Sequence, residues 1–358
     1  MRAAMLSTTA VSPASTIAPI VVSAASDAGE WNRFVERHPL ATVDHLWQWR
    51  DLFLSVFGLD TEYLIARQGT LVIGVLPLVL FKSRLFGRQV VSLPMLNYGG
   101  MLLDNQAAVE PLLRAATDIV RNFGGAHLEL RHQRRMTSLP ARQHKVSMRR
   151  ALPVDVDVLW NGIDRKVRNQ VRKAQKANLS VATGRGELVG QFYRVFSENM
   201  RDLGTPVYAR RWFERILEVF PEHARLHVVS HDGTAIAASC VLKFRDTDLV
   251  PWASSLRSYR HLCPNMLLYW SMLEAAVARG ACVFDFGRSS PDAGTYQFKM
   301  QWGAEPEPQV WEYVLLRDSV LPDQGPSNGR FRAAVSAWKR LPLWAANRLG
   351  PVIVRNIP

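Results

Sequence analysis

Residues 264–290 read PNMLLYWSMLEAAVARGACVFDFGRSS. Pro264 suits the first turn of a helix, where its missing N–H costs nothing. The apolar run it opens continues to Arg279, and Gly280 follows as a stop signal. Val283 to Phe286 then reads as a buried strand that carries one carboxylate, Asp285, between two phenylalanines. The same order occurs 156 residues earlier. Leu112, Leu113, Ala116, Ile119, Val120 and Phe123 have helical spacing, Gly124 ends the run, and Glu129-Leu130 lies in a strand from His127 to Arg131 expected to be half-buried. Gly69-Thr70 before one strand likewise matches Gly233-Thr234 before another. A duplicated α/β unit is expected.

Working outward, helices are expected at Trp31 to Glu36, Leu46 to Phe57, Glu187 to Leu203 and Arg210 to Phe220. Strands are expected at Glu62 to Ala66, Leu71 to Phe81, Arg88 to Leu93, Leu226 to Ser230, Ala235 to Phe244, Leu249 to Ala253 and Gln309 to Leu316. The chain divides into a disordered leader (1–25), a first domain (26–155), a second domain with the active cleft (156–317) and a linker with a basic tail (318–358). In the tail, a loop with Pro322, Gly325, Pro326 and Gly329 precedes a short amphipathic helix, Phe331 to Lys339, flanked by Arg330, Arg332 and Arg340. Docking on the protein body is favoured for it, and an anionic membrane is the alternative.

The chain has 358 residues, 48% hydrophobic and 21% charged, which excludes a disordered, collagen-like or coiled-coil protein. The net charge is +13. Residues 121–185 hold fifteen Lys or Arg against four acids and so carry +11 of it, which points to an anionic partner. No apolar run reaches the roughly 18 residues of a membrane span. Cys240, Cys263 and Cys282 form no C-x-x-C pair, so no disulfide framework or cysteine zinc site is expected.

Three constellations carry chemistry. The first is Asp164 to Lys176. Val167, Val171 and Ala174 give it a narrow packing stripe, while Lys166, Arg168, Asn169, Arg172 and Lys173 offer forks and point charges to phosphates. In the second, Asp285 needs a buried partner, and Arg288 and Lys299 are near enough in sequence to serve. That carboxylate suits proton removal from an amine, and Trp302 lies close by. The third is Arg257 to Met266, where Arg257, Tyr259, Arg260 and Asn265 surround a helix start able to hold an anion. No G-x-G-x-x-G opening a βα unit, Walker loop, G-x-S-x-G elbow or H-E-x-x-H occurs, and the nine histidines have no metal-ligand spacing.

In this order, Lys166-x-Arg168-Asn169-x-x-Arg172-Lys173-Ala174, Leu203-Gly204-Thr205-Pro206, Pro264-Asn265, Phe284-Asp285-Phe286-Gly287-Arg288-Ser289 and Phe298-Lys299-x-x-Trp302-Gly303 resemble the FemAB-related proteins. The likeness is nearest to the branch found with exosortase (PEP-CTERM) and exopolysaccharide systems. It covers about residues 30–317, with Asn97-Tyr98-Gly99-Gly100 the best match in the first half. The resemblance implies an α/β fold (mixed sheet) of two tandem GNAT-like domains and direct N-acyl transfer. It implies no metal and no tightly bound cofactor. It implies acyl-CoA or aminoacyl-tRNA as the donor and an amine of a cell-envelope or exopolysaccharide precursor as the acceptor. Two features depart from that pattern. The coiled-coil arm of some tRNA-dependent members is missing, and so is the pyrophosphate loop of ordinary GNAT enzymes, in whose place stand residues 257–265.

The expectation is therefore a cytoplasmic acyltransferase, peripheral at the inner membrane if the tail touches lipid. Asp285 would accept or relay the amine proton, Arg288 and Lys299 would orient it, and the basic helix would grip phosphates beside it. The rival reading is a non-catalytic, basic RNA-binding or scaffold protein of the same fold.

Overall fold

The computed structural model describes residues 18–83, 87–291, 293–316, 321 and 329–357. In the first half, β1 (Ile20–Ala24), β2 (Asp60–Gln68), β3 (Leu71–Ser83), β4 (Gly87–Val91), β5 (Leu102–Leu103) and β6 (His127–His132) alternate with α1 (Ala28–Arg37), α2 (Trp49–Leu52) and α3 (Val109–Phe123). After β7 (Ala141–Ala151) come α4 (Val156–Asn161), α5 (Arg165–Lys176), β8 (Ser180–Gly184), α6 (Val189–Leu203) and α7 (Arg210–Val219). The second half continues with β9 (Ala224–His231), β10 (Thr234–Phe244), β11 (Thr247–Ser255), α8 (Pro264–Ala278), β12 (Val283–Ser289), α9 (Gly294–Met300) and β13 (Glu305–Leu315). Two helices close the chain, α10 (Gly329–Trp338) and α11 (Leu343–Val354).

All thirteen strands form one sheet in the order β1-β2-β3-β4-β6-β13-β7-β12-β11-β10-β9-β8, with β5 on β3. Read from its two ends inward, that order is the same unit twice. β4 pairs parallel with β6 as β11 pairs parallel with β12, and α3 precedes β6 as α8 precedes β12. Each half then lends its last strand to the other: β13 inserts beside β6, and β7 lies against β12. The sheet therefore does not break at residue 155.

Alternation along each strand sorts side chains into layers. Phe284 and Phe286 join the core under α5 and α8 with Val167, Val171 and Ala174. Leu64, Leu78, Val90 and Leu128 meet α3 in the equivalent core of the first half. A third core lies between the halves, where Trp49 meets Trp212 and Phe220 at 5.6 and 4.8 Å. The helices bury aliphatic and aromatic stripes at the spacing the sequence carries, and Asp27, Asp155 and Asp164 cap α1, α4 and α5 with their carboxylates.

Several expectations need correction. Residues 20–24 form an edge strand on β2, while 1–17 lie outside the described residues. Leu46 to Phe57 is not one helix: α2 runs into a π-helical turn, Phe53–Phe57. The strand from His127 is buried on both faces: Leu128 and Leu130 join the core with α3, while Glu129 pairs with Arg131 and Arg131 lies over Trp311 on the other face. The basic segment is not one surface. Arg131 is buried in a pair with Glu129; Arg142, Lys145, Arg149 and Arg150 sit on β7; and six of the fifteen cations lie on α5. The loop of Pro322, Gly325 and Pro326 lies outside the described residues.

Candidate active site

β11 and β12 pair only from Thr247↔Val283 to Leu249↔Asp285. Beyond that point they diverge, and a cavity of about 340 Å³ opens between Val250–Ala253 on one strand and Phe286–Arg288 on the other. Phe196, Tyr208, Trp252 and Tyr269 stand in its walls, and its polar lining includes Asn97, Arg288, Thr295 and Lys299. No Asp or Glu lines it among the described residues. Gly287 is required here. Its φ is +75°, and a Cβ would stand 2.7 Å from the Val250 carbonyl.

Where a ladder ends, a buried N–H must find another partner. Asp285 supplies it: its Oδ1 accepts from the Gly287 N–H at 2.8 Å. Its Oδ2 accepts from the Tyr98 hydroxyl. Tyr98 is also hydrogen-bonded to Ser147, which accepts from Gln309 at 2.8 Å, and Gln309 donates again to the Asn97 carbonyl at 3.0 Å. Asp44 Oδ2 accepts the N–H groups of Asn97 and Tyr98 at 3.0 and 2.8 Å. Two buried carboxylates thus hold the Asn97–Tyr98 segment, and the buried Asn97 Nδ2 has no hydrogen-bond partner.

Burial pushes both carboxyls up, Asp44 to about 7, and it lies behind the rise of Asp285 as well. In Asp285 the Tyr98 hydroxyl, the Gly287 N–H and the charges of Arg149 and Lys299 oppose that rise. Lys299 is buried, and its Nζ donates to the carbonyls of Gly287 and Arg288 at 3.0 Å each. Burial lowers its ammonium to about 8, with the charge of Asp285 pulling the other way. Burial likewise lowers Arg288 to about 10. Its guanidinium lies 5.3 Å from the Trp311 ring centre and donates to the Leu96 carbonyl at 3.3 Å.

A second cavity, about 190 Å³, backs onto the same segments. Tyr98, Arg149, Asp246 and Asp285 line it. The wall between the two cavities is thus Asn97–Tyr98 on one side and Asp285–Gly287 on the other.

The expected site residues separate. Arg288 and Lys299 reach the splay cavity, but neither bonds the Asp285 carboxylate directly; Tyr98 and the Gly287 N–H do. Trp302 is fully buried between Tyr269 and Phe298, so it is a core residue rather than a ligand contact. Lys166, Asn169 and Lys173 line a shallow, open depression, and Arg172 lies over Trp160 at 5.3 Å. α5 packs on the face that receives Phe284 and Phe286, and Asp285 between them points to the opposite face. Arg168 and Arg172 therefore do not stand beside Asp285. Arg257 is exposed and Tyr259 half-buried on a 3-10 turn, and Asn265 is half-buried at the start of α8; none lines either cavity. Asn97, Tyr98, Asp44 and Arg149 were not foreseen as site residues. The Asn97-Tyr98-Gly99-Gly100 match was the one signal pointing there. Among the described residues, no cluster of His, Cys, Asp or Glu could hold a metal ion.

Residues 163–300 match the acetyltransferase (GNAT) domain family. The fold is similar to the crystal structure of FemX, with a TM-score of 0.63, 16% identity and coverage of 83% of this chain and 98% of that one. It is similar to a tandem GNAT protein from the clavulanic acid biosynthesis pathway, with a TM-score of 0.54, 15% identity and coverage of 83% and 98%. The C-terminal domain of a putative lysylphosphatidylglycerol synthetase from Agrobacterium fabrum is also similar, with a TM-score of 0.56, 10% identity and coverage of 87% and 94%. No curated protein sequence matches the chain. With the GNAT match spanning α5 to α9 and the same strand order repeated on either side of the sheet centre, residues 163–300 match an acetyltransferase (GNAT) domain within a fold of two GNAT-like units in tandem.

Proposed function

We propose that the chain transfers an acyl group directly from a phosphorylated donor to an amine, using units 26–155 and 156–317 with the reaction centre at their junction. The divergence of β11 from β12 carries this reading, because it frees backbone and opens a slot lined by aromatic rings and by the donors Asn97, Arg288 and Lys299. The donor's acyl end lies in the splay cavity. Asn97 Nδ2, Arg288 and Lys299 supply hydrogen-bond donors to the oxyanion that forms on the carbonyl carbon. The phosphates lie outward, toward Arg257, Tyr259, Arg260 and Asn265 near the start of α8.

The amine approaches from the second cavity, whose charged lining is Arg149, Arg245, Asp246 and Asp285. As nitrogen attacks and the carbon–sulfur or carbon–oxygen bond to the donor breaks, Asp285 takes the amine proton, directly or through Tyr98. Its raised affinity for protons brings it closer to the amine it must relieve. A CoA thioester is the donor favoured, since residues 163–300 match the acetyltransferase (GNAT) domain family. The acceptor is an amine of a cell-envelope or exopolysaccharide precursor, the exosortase-associated branch being the nearest resemblance.

Acyl-CoA and aminoacyl-tRNA offered separately, each with an amine acceptor, test the reading. Transfer from the thioester that disappears in Asp285→Asn is expected. Transfer from neither donor, or full activity in that variant, overturns it.

A further inference from the structure

Residues 329–357 contain no acid, yet they hold Arg330, Arg332, Lys339, Arg340, Arg348 and Arg355. α11 is anchored by Ala345, Ala346, Gly350 and Val354, all buried, and a Cβ on Gly350 would stand 2.8 Å from the Val207 backbone. The helix carries Trp344, Leu349 and Val352 in the open, with Arg348 and Arg355 between them on the same arc. Trp344 is 72% exposed. Four of the twelve large apolar side chains exposed among the described residues fall within Trp344 to Ile357. Lys339, Arg340, Arg348 and Arg355 are all exposed, and none meets an acid among the described residues. Among the described residues, no helix is long and apolar enough to cross a membrane.

An indole, leucine and valine facing out among unpaired guanidinium groups match a surface that is apolar below and anionic above, which is the headgroup boundary of a bilayer. An acidic protein would satisfy the charge but not the apolar side chains. We infer that α11, flanked by Lys339 and Arg340, docks this protein on an anionic lipid surface. The placement has a consequence for the site. α11 packs along α6 and Val207, and Met200 and Tyr208 on that stretch line the splay cavity. Docking brings that side of the cavity toward the bilayer, so an acceptor held in the lipid comes within reach. The docking itself does not rest on acyl transfer.

Co-sedimentation of the full chain with phosphatidylglycerol vesicles and with pure phosphatidylcholine vesicles tests it. Binding to the anionic vesicles alone is expected, weakening as salt rises. Trp344→Ser with Val352→Ser, and separately Arg348→Glu with Arg355→Glu, should each weaken it at least tenfold. Arg348→Lys with Arg355→Lys should retain it. All these positions are exposed, so thermal midpoints should hold, as should transfer to a water-soluble amine. A wild-type chain that stays in the supernatant, or variants that bind as the wild type does, overturns the inference. So does a dimer by light scattering that the Trp344 variant converts to monomer, since the face would then belong to a second copy. A failed transfer assay condemns the enzymatic reading and leaves docking standing.

Discussion

Glu129 and Asp285 occupy the same place in the two halves of the sheet. Each is the last residue of the parallel pairing, Val91↔Glu129 in one half and Leu249↔Asp285 in the other, and each is buried. Their surroundings then diverge. In the first half the gap is closed: Ser92 N–H donates to the Glu129 carbonyl at 2.9 Å, and Ser92 Oγ accepts from Arg131 N–H at 2.8 Å. The Glu129 carboxylate is consumed by Arg131 at 2.7 Å, with Tyr313 also in contact. In the second half Val250 replaces that serine and Gly287 replaces that arginine. Val250 offers no hydroxyl, so the Gly287 N–H turns to the Asp285 carboxylate instead. One acid is locked into a closed sheet; the other holds an opening beside two cavities. The duplicated unit has kept its frame closed on one side and opened it at the same position on the other.

Breaking the two acids should separate those roles. Asp285→Asn keeps an oxygen for Gly287 and removes the proton acceptor. Transfer should fall about 10³-fold in kcat/KM, equivalent to about 4 kcal/mol of transition-state stabilisation, with little change in thermal midpoint. Glu129→Ala should do the reverse. It strands a buried guanidinium, so chemical denaturation should show a loss of about 3 kcal/mol while the folded fraction still turns over. Equal loss of activity in both variants would erase the contrast.

The pH profile sharpens it. Lys299 is a cation below about 8, so the oxyanion donor it supplies fades as pH rises through that value. Asp285 fails as a base when pH falls through its raised value. A bell-shaped kcat/KM is expected, and Lys299→Gln should lower the plateau and remove the alkaline limb. Asp44 adds a smaller effect on stability. Its proton affinity is higher folded, at about 7, than unfolded, so its contribution is complete at acid pH and is lost as pH rises through 7. The thermal midpoint should fall between about pH 4 and 7 and level off above, and Asp44→Asn should abolish that slope. Smallest of all, Arg168→Ala with Arg172→Ala should leave transfer from a small thioester within twofold, because α5 lies on the other face of the sheet.

Much of the frame was legible in the sequence. The Leu112–Gly124 and Leu268–Gly280 patterns mark helices whose apolar spacing and terminal glycines are local properties. β7 was not legible: Ala141–Ala151 is strongly basic and reads as surface, and it becomes a strand because β12 and β13 flank it. The site was half legible. An acid between two phenylalanines must be buried, and sequence neighbours looked like its partners. The actual ones, Tyr98 and the Gly287 N–H, come from a loop 187 residues away and from a ladder that stops, and neither leaves a periodic trace. The basic helix misled because charge density in sequence carries no information about sheet face.

The most direct test is calorimetric titration of a CoA thioester into the wild-type chain and into Ala253→Trp, which fills the splay cavity from β11. Binding that weakens at least tenfold in the variant, with the thermal midpoint of the free protein retained, is the outcome expected if the acyl end sits between β11 and β12. Affinity unchanged by the tryptophan, or no binding by the wild type, would place the donor elsewhere and contradict the account.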